Sequence, residues 1–306
     1  MSPNSPFHLD ALPPAEMAAK AEQIGVKKAA MDFLSMFVLA VLAGAFIALG
    51  AVFATTVSAG SGSLPYGIVR LAAGVVFSLG LILVVVGGAE LFTGNNLIVM
   101  AWANRKISTG LLLRNWLIVY VGNFVGAVVT ALLVYASGQY QFGNGAVGAA
   151  ALGTAQAKAA LGFGQAVALG ILCNGLVCLA VWLSYSGRSV VDKIFAIVPP
   201  IAAFVAAGFE HSVANMYFLP IGLFIKEGAP QSFWSAIGKT AADYPALTWG
   251  HFLFNNLLPV TLGNMIGGTV LVGAVYWFVY LRKGKELTAV DINGKRSEEQ
   301  AEALQM

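Results

Sequence analysis

The chain has 306 residues, 58% of them hydrophobic and 10% charged, which is too little polar surface to clothe a water-soluble globule of that size. Several apolar stretches exceed the roughly 20 residues that cross about 30 Å of hydrocarbon as a helix, and the short alternating strands of a barrel are missing. The net charge of +3 does not point to nucleic acid, because the basic residues follow the loops between apolar stretches.

Residues 1–30 are polar and form the first unit. Pro13 and Pro14 open a short helix with an apolar stripe through Met17, Ala21 and Ile24, suited to the membrane surface. Glu16, Lys20 and Glu22 interrupt any signal-like apolar core, so the first spanning helix is expected to be retained. Spanning segments follow at about 33–57, 67–103, 110–137, 160–185, 190–225 and 256–281, within a six-helix transmembrane unit covering 31–283. The second and fifth are long, and each carries an interruption, over 87–96 and 208–215. Residues 284–306 read as a polar tail. Cys173 and Cys178 sit about 140° apart on one helix, out of reach of each other, and read as small buried hydrophobes.

Positive residues fix the orientation. With the N-terminus inside, the outer loops and adjoining helix ends hold Arg70, Lys158, Lys226 and Lys239, leaving 13 of the 17 basic residues inside. Both termini are therefore expected on the cytoplasmic side.

The two interruptions align without gaps. Glu90-Leu-Phe-Thr-Gly-Asn95 and Glu210-His-Ser-Val-Ala-Asn215 share an acid, a small residue and an asparagine at one spacing. The helices that follow match from Asn115 to Gly126 and from Asn256 to Gly267 at Asn, Val, Gly, Asn and Gly. No comparable match is read between the first and fourth helices. Three helices per half is an odd number, so the halves run oppositely across the membrane and their interruptions meet near its middle. Exposed backbone at that depth costs several kcal/mol per group unless protein or a watery cavity satisfies it, which marks a solute path.

His8 and His251 lie outside the spans, and His211 is the one histidine at membrane depth. An imidazole there, facing Thr93, suits an anion or a weak acid. It is too lonely for a metal site. It also cannot form a bis-histidine haem site, which weighs against the competing reading of a membrane redox protein. Glu90 and Glu210 read as scaffold carboxylates that accept from unpaired backbone N–H groups of the interrupted helices, in preference to a proton relay. Asn95, Asn123, Asn174, Asn215 and Asn264 either line the path or bridge helices. Helix dipoles do not settle the sign of the solute.

Leu91-Phe92-Thr93, Ser184-Tyr-Ser-Gly-Arg-Ser189, Gly208-Phe-Glu-His-Ser212 with Ala214-Asn-Met216, and Pro259-Val-Thr-Leu-Gly-Asn264 resemble the formate/nitrite transporter family over about residues 7–283, nearest to its formate channels. The resemblance implies an all-α, aquaporin-like fold with six transmembrane helices, the second and fifth broken, assembled as a homopentamer with one pore per protomer in a bacterial inner membrane. It implies a central polar pair of Thr93 and His211, an apolar constriction at Phe77 and Phe204, and a narrowing at Leu81, Leu91 and Val177. It further implies pore-lining amides at Asn174 and Asn264, an anion-drawing Lys158, and an N-terminal segment with Lys28 that helps close the cytoplasmic mouth. That segment is also where a cytoplasmic partner would dock.

The expected activity is passage of formate and related small monovalent anions, dependent on pH, with lipid as surroundings and without catalysis, cofactor or metal. Gly94-Asn95-Asn96 also resembles nitrite and hydrosulfide members, which keeps those anions as alternatives. The Asn-Pro-Ala signature of water and glycerol channels is missing from both interruptions.

Overall fold

A computed structural model describes residues 11–282, and these are helices and connecting turns with no strand among them. His8 and the tail expected over 284–306 lie outside the described residues. After α1 (Pro14–Ala29) come α2 (Phe33–Ser58), α3 (Tyr66–Gly87), the single turn α4 (Phe92–Asn95), a 3-10 turn, α5 (Val99–Ala103) and α6 (Thr109–Ala136). The second half runs through α7 (Ala146–Ala159), α8 (Phe163–Ser186), α9 (Val190–Ala206), α10 (Ser212–Gly228) and α11 (Gln231–Ile237). It ends in α12 (Leu258–Ile266), the α-wound centre of a longer helical run that is π-wound on either side.

Among the described residues, five helical stretches are long and apolar enough to cross a membrane: α2, α3, α6, α8 and the run His251–Leu281. Two of them, α2 and α6, start on polar caps that satisfy first-turn N–H groups. Asp32 Oδ1 accepts from Ser35 N at 3.0 Å and Ser108 Oγ from Leu111 N at 3.2 Å. Ser189 and Asp192 form a reciprocal capping box on α9. Large apolar side chains such as Leu34, Leu117, Phe195 and Phe254 are exposed, which suits a surface bathed in lipid rather than water.

Two helical stretches stop and restart. Helix α3 ends at Gly88, whose φ of 82° suits a residue without a side chain, and winding resumes at Phe92. Helix α9 ends before Gly208, with φ of 76°, and winding resumes at Ser212. Helices α9 and α10 have 17 residues each, and their internal Pro199, Pro200 and Pro220 remove further backbone donors.

The structure departs from the sequence reading at three places. Residues expected to be an outer loop form α7, whose Ala- and Gly-rich sequence has low apolarity and little amphipathic contrast. The last helical run begins at His251, five residues before the expected start, so His251 belongs to it. The third departure concerns the first and fourth spanning helices, which are equivalent after all. Helix α2 packs on α6 where a Cβ at Gly126 would strike the Val41 carbonyl, and α8 packs on the last run where one at Gly267 would strike the Ile171 carbonyl. The signal was Lys28-Ala-Ala-Met-Asp-Phe33 against Lys158-Ala-Ala-Leu-Gly-Phe163, which pairs α1 with α7 as well as α2 with α8.

Candidate functional site

Where a helix stops inside apolar surroundings, its freed backbone groups need partners. Both interruptions find the same ones. Glu90 N donates to the Leu39 carbonyl at 3.2 Å, and Glu210 N to the Leu169 carbonyl at 3.3 Å. Phe92 N donates to Asn123 Oδ1 at 2.9 Å, and Ser212 N to Asn264 Oδ1 at 2.8 Å. Asn123 Nδ2 returns to the carbonyls of Ala40 and Glu90, as Asn264 Nδ2 does to those of Gly170 and Glu210. One amide thus ties three chain segments together in each half.

Side chains repeat the symmetry. Lys28 Nζ meets Glu90 Oε1 at 2.6 Å, and Lys158 Nζ meets Glu210 Oε1 at 2.7 Å. The second oxygen of each carboxylate accepts from an asparagine five residues on: Asn95 Nδ2 at 2.7 Å and Asn215 Nδ2 at 2.7 Å. Those amides continue to Asn115 and Asn256, which in turn donate to the Lys28 and Lys158 carbonyls. The carboxylates therefore accept from side chains, not from the unpaired backbone N–H groups expected of them; asparagines take that task. Asn115 and Asn256 escaped notice as partners because their role shows only once two helices are adjacent.

The centre breaks the symmetry. In the alignment of the interruptions, His211 stands opposite Leu91 and Thr93 opposite Val213. His211 is the N-cap of α10, and its Nδ1 accepts from Ala214 N at 3.0 Å. An acceptor at Nδ1 requires the proton on Nε2, which then donates to Thr93 Oγ1 at 3.0 Å. The Thr93 carbonyl is held from α8 by Asn174 Nδ2 and Cys178 Sγ, both at 3.3 Å. Both ring and hydroxyl are buried, His211 at 3% and Thr93 at 0% exposure.

Two cavities approach this pair, sharing no lining residue. The one beside α7, of about 570 Å³, is lined among others by Arg70, Phe77, Lys158, Phe204, Glu210 and His211. The one beside α1, of about 300 Å³, is lined among others by Lys20, Lys28, Leu81, Glu90, Leu91 and Lys193. Phe77 and Leu81 are one turn apart on α3, so the barrier between the cavities is only ~6 Å thick along that helix. Phe77 and Phe204 meet edge to face at 5.7 Å between centroids, and Phe204 stacks on His211 at 6.0 Å. Phe77, Leu81, Leu91, Val177 and Phe204 are all buried. Asn174, Asn264, Thr93 and Val177 line neither cavity; both amides are engaged with backbone. Arg70, not singled out from sequence, lines the α7-side cavity while donating to the Val205 and Ala206 carbonyls at the end of α9.

A family model described as formate/nitrite transporter matches residues 15–278. The formate channel FocA of Escherichia coli K12 is 50% identical over 283 residues, covering 92% of this chain and 99% of its own. The formate channel FocA of Haemophilus influenzae is 44% identical over 272 residues, covering 89% and 96%. A solved structure described as a pentameric formate channel with formate bound superposes with a TM-score of 0.78 at 46% identity, over 82% of this chain and 98% of that one.

Proposed function

Because this chain belongs to the formate/nitrite transporter family, we propose that it is a channel for formate and related small monovalent anions, with Thr93 and His211 as the polar station in an otherwise apolar pore. In this reading α3 to α5 and α9 to α10 each make one interrupted crossing, giving six crossings per protomer in an aquaporin-like inverted repeat. Five protomers assemble, each with its own pore, as in the pentameric relative. The chain sits in a bacterial inner membrane, surrounded by lipid, with both termini cytoplasmic. Residues 1–30 form a unit at the cytoplasmic mouth, 31–283 the channel unit and 284–306 a tail. Lys28 contributes to closure, and the N-terminal segment offers a docking place for a cytoplasmic partner.

The observation that carries this reading is the His211 Nε2 to Thr93 Oγ1 contact of 3.0 Å, set between two lysine-bearing cavities. A carboxylate is recognised by two donors at adjacent positions. Formate accepts from the His211 Nε2–H with one oxygen and from the Thr93 hydroxyl with the other, replacing the bond those two make to each other. Lys158 and Arg70 raise the anion's concentration on the α7 side, while Glu210 keeps Lys158 from trapping it. Glu90 and Glu210 hold the interruptions in shape through the amide chains, and Asn174 and Asn264 fix the walls behind the central pair. Phe77 and Phe204 on one side, and Leu81, Leu91 and Val177 on the other, strip water from the anion. A bare carboxylate crosses such rings at high cost, whereas the neutral acid crosses readily, so passage depends on pH.

Charging the His211 ring requires a proton on Nδ1, and that position already accepts from Ala214 N. The ring therefore takes up a proton only by releasing the α10 cap. His211→Asn separates these roles, because asparagine still caps a helix but does not titrate in this range. Formate flux into reconstituted vesicles, followed across pH with nitrite and hydrosulfide as competitors, is expected to keep a folded protein and lose most of its pH dependence in this variant. Identical flux at every pH removes His211 from the mechanism.

A further inference from the structure

The two cavities differ in charge. On the α7 side Arg70 and Lys158 stand against Glu210, a net of +1; on the α1 side Lys20, Lys28 and Lys193 stand against Glu90, a net of +2. The cations also differ in how far they are satisfied. Arg70 is spent on two backbone carbonyls and Lys158 on Glu210. Lys28 is likewise spent on Glu90. Lys20 gives one N–H to the Tyr185 carbonyl at 2.8 Å, a neutral acceptor, and keeps two donors. The Lys193 ammonium has no hydrogen-bond or ion-pair partner among the described residues. The other carboxylates of α1 and α9 line no part of the cavity: Glu16 is exposed, Glu22 accepts from Asn104, and Asp192 caps α9. The repulsion is felt, since burial and the fields of Lys193 and Arg188 lower the Lys20 ammonium from its ordinary range.

We propose that the α1-side cavity binds a doubly charged oxyanion of the sulfate or phosphate type between Lys20 and Lys193. Such an ion fastens α1 to α9 and obstructs the mouth. A dianion suits the net charge of +2, as a monoanion suits the +1 of the other cavity. It goes no deeper, because Glu90 repels it and the buried Leu81 and Leu91 offer nothing to replace its hydration. The site acts as a brake on one mouth, and its effect on flux rests on the channel reading above; the binding itself does not.

Inorganic sulfate is the probe. The purified full chain in detergent free of anionic lipid is heated in sulfate and in chloride at equal ionic strength. A saturable rise in the unfolding midpoint with sulfate is expected, and its loss in Lys20→Gln and in Lys193→Gln. Both side chains are partly exposed, and the Lys193 ammonium lacks a partner, so these variants keep the fold and report any general salting effect of sulfate. In vesicles, sulfate on the α1 side at its half-saturating concentration should halve formate flux in the unaltered chain and leave Lys193→Gln untouched. A sulfate response equal to that of chloride, or one kept by both variants, overturns the site. A response that appears only with phosphatidylglycerol assigns it to lipid and overturns the soluble ion. Sulfate binding with undiminished flux overturns the brake. Sulfate binding in a chain that passes no formate at all supports the site while sinking the channel reading.

Discussion

Asn123 accepts from Phe92 N and donates to the carbonyls of Ala40 and Glu90, and Asn264 does the same work for Ser212, Gly170 and Glu210. A typical interhelical hydrogen bond in a membrane contributes little, averaging about 0.6 kcal/mol, because the unfolded helix finds other partners in the bilayer. These amides differ, since each satisfies an N–H and a carbonyl at an interruption that no helix serves, while its bond to Ala40 or Gly170 is an extra one to a carbonyl inside α2 or α8. Replacing either by leucine orphans one N–H and one carbonyl beside a side chain at 0% exposure. Asn123→Leu and Asn264→Leu are each expected to cost about 3 kcal/mol, and to cost nearly the same. Thermal unfolding of the two variants in one detergent checks this, and a large loss for one with none for the other refutes their equivalence. Asparagine spacing was legible in the sequence, but its use was not. The same residue type lines a path or closes a backbone gap depending on which carbonyl lies within 3 Å, and that is set by packing.

The elements pair as α1 with α7 and α2 with α8, and the ion pairs show what the pairing holds. Lys28 and Lys158 reach from the short helices to carboxylates that are 4% exposed, Glu90 and Glu210. Removing one partner of such a pair leaves a charge stranded in apolar surroundings, whereas removing both leaves none. Lys28→Met is expected to destabilise by about 3 kcal/mol, and Lys28→Met with Glu90→Gln to recover most of that loss, because glutamine still accepts from Asn95. A denaturation double-mutant cycle measures it; additive losses would mean that the pair does not act as a unit. The long helices were legible because twenty apolar residues have few other fates. Helix α7 was not, since Ala146–Ala159 carries neither strong apolarity nor a clear stripe and takes its shape from docking beside α10, with its own Lys158 anchored on Glu210. Lys28 was read only as a closing element, and its equivalence to Lys158 emerges from the matching carboxylate contacts.

For the whole molecule, equivalence of α1 and α7 has a consequence that their sequences alone do not carry. If the halves are inverted copies, the two short helices cover opposite mouths, and the asymmetric centre, His211 against Leu91, faces a different solution on each side. The buried Cys173 and Cys178 make this testable, because both are at 0% exposure and neither offers a thiol to a water-borne reagent. Ala19 is exposed on α1, and Gly153 is exposed on α7 with open space where a Cβ would stand. Ala19→Cys and Gly153→Cys therefore each provide one reactive thiol without disturbing the packing. A membrane-impermeant maleimide applied to right-side-out vesicles should label Gly153→Cys and spare Ala19→Cys, and inverted vesicles should reverse the result. Labelling of both thiols from one face would place α1 and α7 on the same side, undo the inversion, and leave the two interruptions with no reason to meet at His211 and Thr93.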